Sequence, residues 1–128
     1  MFDFISMANN YEERKVARFE LGMIIIDTCA VSDSDHPFET AISHPQFNSG
    51  NWIIVEHYDS KQEAIQGHNK WVDKITSKEN FPLTLKDVST AMIAKYMRQI
   101  DPGWDSYGRT IDGKVIRPEL AQPRLEDQ

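Results

Sequence analysis

Residues 52–75, WIIVEHYDSKQEAIQGHNKWVDKI, decide the fold, because within them the hydrophobic period changes from two to about 3.6. Along the first seven, Trp52, Ile54, Glu56 and Tyr58 alternate with Ile53, Val55 and His57, so the segment reads as a strand with one core face. Ser60 then stands three residues before Glu63, a capping box that starts a helix. Beyond it Ala64, Ile65, His68, Trp71, Val72 and Ile75 recur at three and four and form one apolar stripe. That stripe has to pack on the sheet. Gly67, which costs a helix interior about 1 kcal/mol relative to Ala, implies close approach of a strand or of a ring such as Trp52.

Upstream, Val16 to Leu21 alternates apolar residues with Arg18 and Glu20, Gly22 suits a reversal, and residues 23–31 are rich in β-branched side chains. A hairpin follows. The cluster SDSDHP at 32–37 is turn chemistry, and Phe38, Thr40 and Ile42 share one face of a third strand before the loop HPQFNSGN. Downstream of the breaker SKENFP, residues 77–82, a second helix is expected from about Asp87 or Ser89. It would turn Val88, Met92, Ile93, Tyr96, Met97 and Ile100 inward and stop at Asp101-Pro102-Gly103, with Trp104 and Tyr107 covering the open end of the core. TIDGKVI reads as a small hairpin with Asp112-Gly113 at its turn. The fold class is therefore α+β: an antiparallel sheet of about four strands, a β-meander, followed by two helices packed on one face and a small C-terminal hairpin or arm. The expected division is an N-terminal extension 1–10, a single domain 11–108, and a C-terminal hairpin and tail 109–128. Met7 could equally serve as the start, leaving 1–6 outside the fold.

At 128 residues the chain has the size of one domain, and 40% hydrophobic with 27% charged residues is ordinary globular composition. A formal charge of −6 disfavours duplex nucleic acid as a partner, since phosphate contacts need clustered cations. The mild acidic excess also suits docking on a basic protein surface. No basic leader with an apolar core opens the chain and no run reaches membrane-spanning length, so neither secretion nor insertion is indicated. The single cysteine, Cys29, rules out an intramolecular disulfide and a multi-cysteine zinc site, and it reads as small core filler in a reducing cytosol.

No catalytic constellation of known spacing is present. His68 has no second ligand three or four residues away on its face, and His36 and His44 precede prolines in loops. Asp33 and Asp35 begin like a calcium loop, but the mid-loop glycine and terminal glutamate are missing. Glu39 and Glu56 lie on strands among apolar neighbours, where pairing with Arg18 or Lys15 at an edge is the economical reading. No catalytic residue, metal ligand or cofactor is assigned. Phe47 and Trp104, in loops, are the candidates for an exposed aromatic rim, joined by Tyr107 and by the basic residues Arg14, Arg18, Arg98 and Arg109. On this reading Trp71→Ala unfolds the protein and Phe47→Ala leaves it folded.

The segment PFETAISHPQFNSGNWIIVEHYDSKQEAIQGHNKWV, above all GNWIIVEHY followed by EAIQGHNKWV, resembles small uncharacterised proteins encoded by bacteriophages and prophages. KDVST, residues 86–90, is similar to a segment at the same place in them, and the likeness covers roughly residues 11–100. The resemblance implies action in the bacterial host cytoplasm as an accessory, counter-defence protein that inhibits a host protein or sequesters a small nucleotide signal. A small metal-dependent hydrolase using His57, His68 and nearby carboxylates is the alternative, and self-association as a homo-oligomer in an assembly role is another.

Overall fold

The computed structural model describes residues 11–32, 35–111 and 113–116. The expected extension 1–10, the tail 117–128, and Asp33 and Asp112 lie outside the described residues. Four strands, β1 (Lys15–Leu21), β2 (Ile24–Ala30), β3 (Phe38–Ser43) and β4 (Ile53–Tyr58), form an antiparallel meander in the order β1-β2-β3-β4. Gly22, at φ +60°, makes the first reversal, where a β-carbon would be strained. Val31 N–H donates to Pro37 O at 2.9 Å and closes the second. Helix α1 (Lys61–Thr76) begins where expected, with Glu63 N–H donating to Ser60 Oγ at 3.1 Å, and packs across all four strands. The Glu63 carboxylate reaches back one residue further than a standard capping box and accepts from Asp59 N–H.

The sheet face under α1 is set by register. Phe19, Ile26, Ile42 and Ile53 form a cross-strand row, since Phe19 pairs with Ile26, Ile26 with Ile42 and Ile42 with Ile53. Three of the four are fully buried, and with Phe47, Val55, Ile75 and Leu85 they make the core. A strict alternation along β4 does not survive. Thr40 pairs with Glu56 and Ala41 with Ile54, so Val55 is an extra residue, a bulge. The bulge lets Ile53 and Val55 and also Glu56 and Tyr58 serve the helix-covered side, and Trp52, the ring suggested as a close neighbour of Gly67, stands exposed just before the strand.

Beyond α1 the chain makes a second, three-stranded sheet in the order β5-β6-β7, from β5 (Thr84–Lys86), β6 (Ser106–Ile111) and β7 (Lys114–Ile116). The C-terminal hairpin thus exists as β6–β7, but it is built into this sheet through the pairing of Leu85 with Tyr107. Helix α2 (Met92–Ile100) lies between β5 and β6 in the chain. It starts later than Asp87 or Ser89 because residues 87–91 are held outside the helix, with Val88 N–H donating to Ile54 O beside β4 and Ser89 N–H to Asp87 Oδ1.

Candidate binding surface

Helix α2 is turned the opposite way from the sequence expectation. Met92 is 85% exposed, Ile93 64%, Tyr96 58% and Ile100 62%, while the only fully buried residue of the helix is Ala94. Met92, Tyr96 and Ile100 follow one another at four-residue steps with Ile93 beside them, so they make one stripe about 12 Å long. Ala94 and Arg98, also four apart, occupy the other side.

The inversion has a local cause. Arg98 Nε donates to Asp105 Oδ2 at 2.5 Å, its two terminal nitrogens donate to Ser89 O at 2.8 Å and Asp87 O at 2.7 Å, and Asp105 is 1% exposed. A planar guanidinium with five fixed donors can bind the segment before the helix and the segment after it at once. Asp87 N–H also donates to Asp105 O at 2.7 Å, which ties the two segments directly. Once Arg98 faces inward, the residues opposite it on the helix must face out. Hydrophobic periodicity carries no information about this sign, because an apolar stripe packs on a core or on a partner by the same physics.

The predicted site residues do not converge. Phe47 is 0% exposed, a correction to its assignment as an exposed rim residue. The loop carrying it folds into consecutive turns, with Asn48, Ser49 and Gly50 all at positive φ, Phe47 N–H donating to His44 O, and Ser43 Oγ donating to Gly50 O. This drives the ring into the core against Phe81 (centroids 5.8 Å apart) and the edge of His44 (5.5 Å). Arg109 lies over the other ring of that group, 5.6 Å from Phe81, and Tyr107 packs on the same core. Trp104 is half-buried. Arg98 is the clamp just described, with its donors engaged by Asp105, Ser89 O and Asp87 O. Arg18 on β1 donates to Asp27 Oδ2 at 3.1 Å and Glu20 Oε1 at 2.6 Å, and the Tyr11 hydroxyl donates to the same Asp27 oxygen at 2.9 Å. Arg14 is exposed in the helical turn at residues 11–14.

The polar residues considered for catalysis are structural in their contacts. Cys29, Glu39 and His57 are successive cross-strand neighbours on the sheet face opposite α1. Burial, with Asp27 and Glu39 adding to it, pushes the Cys29 thiol up to about 11, which keeps it protonated and a poor nucleophile. His57 Nε2 donates to Val88 O at 2.9 Å. Among the described residues no three His, Cys, Asp or Glu side chains are grouped so as to hold a metal ion.

Under α1 runs a buried polar chain that sequence reasoning missed. His68 Nδ1 lies 2.8 Å from Thr28 Oγ1, Thr28 Oγ1 2.6 Å from Thr40 Oγ1, and Thr40 Oγ1 2.9 Å from Tyr58 OH. Tyr58 OH donates to Glu56 Oε1 at 2.9 Å, where Trp71 Nε1 and Lys70 Nζ also donate at 2.9 and 2.7 Å. Burial raises the Glu56 pKa, but the hydrogen bonds from Lys70, Trp71 and Tyr58 outweigh it and leave the carboxyl below its ordinary range. Glu56 thus pairs with the helix, and not with Arg18 or Lys15. The available signal was two threonines, one on each of two neighbouring strands, in line with a histidine in an apolar stripe. Comparison with protein-family models, with curated proteins and with solved structures finds no match. Among the described residues no helix is long and apolar enough to cross a membrane.

Proposed function

We propose that this chain is an accessory binding protein that works by occupying a protein surface, with the outward stripe of α2 as its contact. The observation that carries the reading is the inverted helix: Met92, Ile93, Tyr96 and Ile100 exposed together while the helix arginine is turned inside. A contiguous apolar patch is uncommon on a chain that acts alone, and anchors at i, i+4 and i+8 fit the mode in which a helix lies in an apolar groove of its partner. The clamp at Arg98 holds the helix ready, so little ordering entropy remains to be lost on docking. Together with the resemblance to phage-encoded proteins, this supports an inhibitory, counter-defence role on a host protein in the bacterial cytoplasm. Sequestration of a nucleotide draws less support, since three of the side chains named for it are engaged elsewhere: Phe47 is buried, and Arg18 and Arg98 are committed to carboxylates and carbonyls.

The test is affinity capture from infected cells with the wild-type chain and with Ile93→Glu. A host protein held by the first and lost by the second supports the reading. Equal recovery by both would place the contact elsewhere.

A further inference from the structure

We infer that β1, the open edge of the meander, pairs antiparallel with β1 of a second copy about a two-fold axis normal to the sheet at Phe19, joining the two meanders into one continuous sheet.

The two edges of the meander are not alike. Beside β4, Val88 N–H donates to Ile54 O, so that edge is partly covered from within the chain. Strand β1 stands at the other end of the strand order, and among the described residues only β2 pairs with it. The main-chain groups it leaves free follow from the register. The two-residue reversal at Gly22-Met23 makes Leu21 and Ile24 the hydrogen-bonded pair next to the turn. Such pairs alternate along an antiparallel ladder, so Phe19 and Ala17 also bond β2, and the N–H and C=O groups of Arg18 and Glu20 point away from it. A further strand can add there.

The side chains say which strand. Arg18 and Glu20 stand beside Asp27 and Ile25 on the face opposite α1, while Ala17, Phe19 and Leu21 lie on the helix side, with Phe19 in the core row. Charges on an edge strand ordinarily discourage a neighbour. In a two-fold pair through Phe19, however, residue 18 of each strand stands directly opposite residue 20 of the other, so each Arg18 meets a Glu20 and exchanges both main-chain hydrogen bonds with it. Centring the pair on Arg18 or on Glu20 would set like charges against each other, which fixes the register. On the helix side Leu21, 57% exposed, meets the small Ala17, and Phe19 meets Phe19. The row Phe19, Ile26, Ile42 and Ile53 thereby runs on into the same row of the second copy.

In the single chain Arg18 Nε donates to Glu20 Oε1 at 2.6 Å, and Arg18 also holds Asp27. Pairing hands Glu20 from the arginine of its own strand to that of the other, so neither charge is left alone. The bulge at Val16 and the turn at Gly22 end the ladder on either side, which keeps it short and the association weak. The formal charge of −6 on each copy opposes association, but it is screened within about 8 Å at physiological salt.

Sedimentation velocity and amide hydrogen exchange on the full chain, each over a wide concentration range, test this. The wild-type mass should climb from one chain towards two. The amides of Arg18 and Glu20 should slow in proportion to the fraction of paired chains, while those of Ala17, Phe19 and Leu21, already bonded to β2, change little. Glu20→Arg sets arginine against arginine and should stay at one chain with an unchanged melting temperature, because Glu20 is exposed. Ile93→Glu should associate as the wild type does, since α2 takes no part in the pair. A wild type that stays at one chain throughout, a Glu20→Arg variant that associates normally, or a dimer whose Arg18 and Glu20 amides exchange as fast as in the single chain would each overturn the inference. Association kept by Glu20→Arg and lost by Ile93→Glu would put the self-contact on α2 and overturn it as well.

Discussion

The ring of Tyr58 occupies the space that a β-carbon on Gly67 would take. Sequence reading anticipated a close approach at this glycine and named Trp52 as the ring. The bulge in β4 puts Tyr58 there instead. Gly67→Ala is therefore expected to destabilise by about 1–3 kcal/mol through overpacking, against the roughly 1 kcal/mol gain that the same change brings in an exposed helix. A higher melting temperature for Gly67→Ala in thermal scans would contradict the packing.

Arg98 and Asp105 make a second sharp case. Arg98→Ala would leave a carboxylate 1% exposed with no cation beside it, and breaking such a pair costs about 3–5 kcal/mol. Arg98→Lys should recover only part of this, because an ammonium cannot reach Asp105, Ser89 O and Asp87 O with a fixed fork. Urea midpoints of the two variants test the order.

Phe47→Ala, expected from sequence to be harmless, should now cost about 3–5 kcal/mol, in the same class as Trp71→Ala. Ile93, turned inward by the sequence reading, is exposed, so Ile93→Glu should change stability by no more than about 0.5 kcal/mol. Circular dichroism melts that reversed this ranking would refute the burial pattern of both elements.

Acid should destabilise the fold in two stages. Burial lowers the pKa of His44, and lowers that of His68 against an opposing pull from Asp27, below the ordinary 6.5. The unfolded chain then binds more protons than the folded one between the folded values and about 6.5, so stability falls as pH drops from about 6.5 towards the folded values and is flat above about 6.5. Glu56 has the carboxylate sense: its folded pKa lies below 4.5, so its contribution is present above that value and is lost as pH falls through the folded one. Melting temperature measured against pH should begin to decline below neutrality, and a His68→Asn variant should show a shallower decline above pH 4.5.

The meander and α1 were legible because local signals agreed with the tertiary result: period two over residues 15–21 and 38–43, Gly22 at the turn, Ser60 with Glu63 at the cap. The faces of β4 were not, since one extra residue at Val55 reverses alternation and nothing in the sequence marks it. Helix α2 was legible as a helix and misread in direction, because the side an amphipathic stripe faces is decided by the contacts of Arg98, which are more local to the fold than to the sequence. Phe47 was misread because loops are generally on the surface. Three successive positive-φ residues make this loop an exception.

Each hydroxyl in the chain under α1 carries a single proton, and this orders all of them from one end. Ionised Glu56 can only accept, so Tyr58 gives its proton to Glu56, Thr40 to Tyr58, and Thr28 to Thr40. Thr28 is left as an acceptor towards His68, which must therefore carry hydrogen on Nδ1 and a bare lone pair on Nε2. The salt bridge at Lys70 thus selects a tautomer four hydrogen bonds away: a Glu56→Gln variant, able to donate, would permit the whole row to reverse and the histidine proton to change nitrogen.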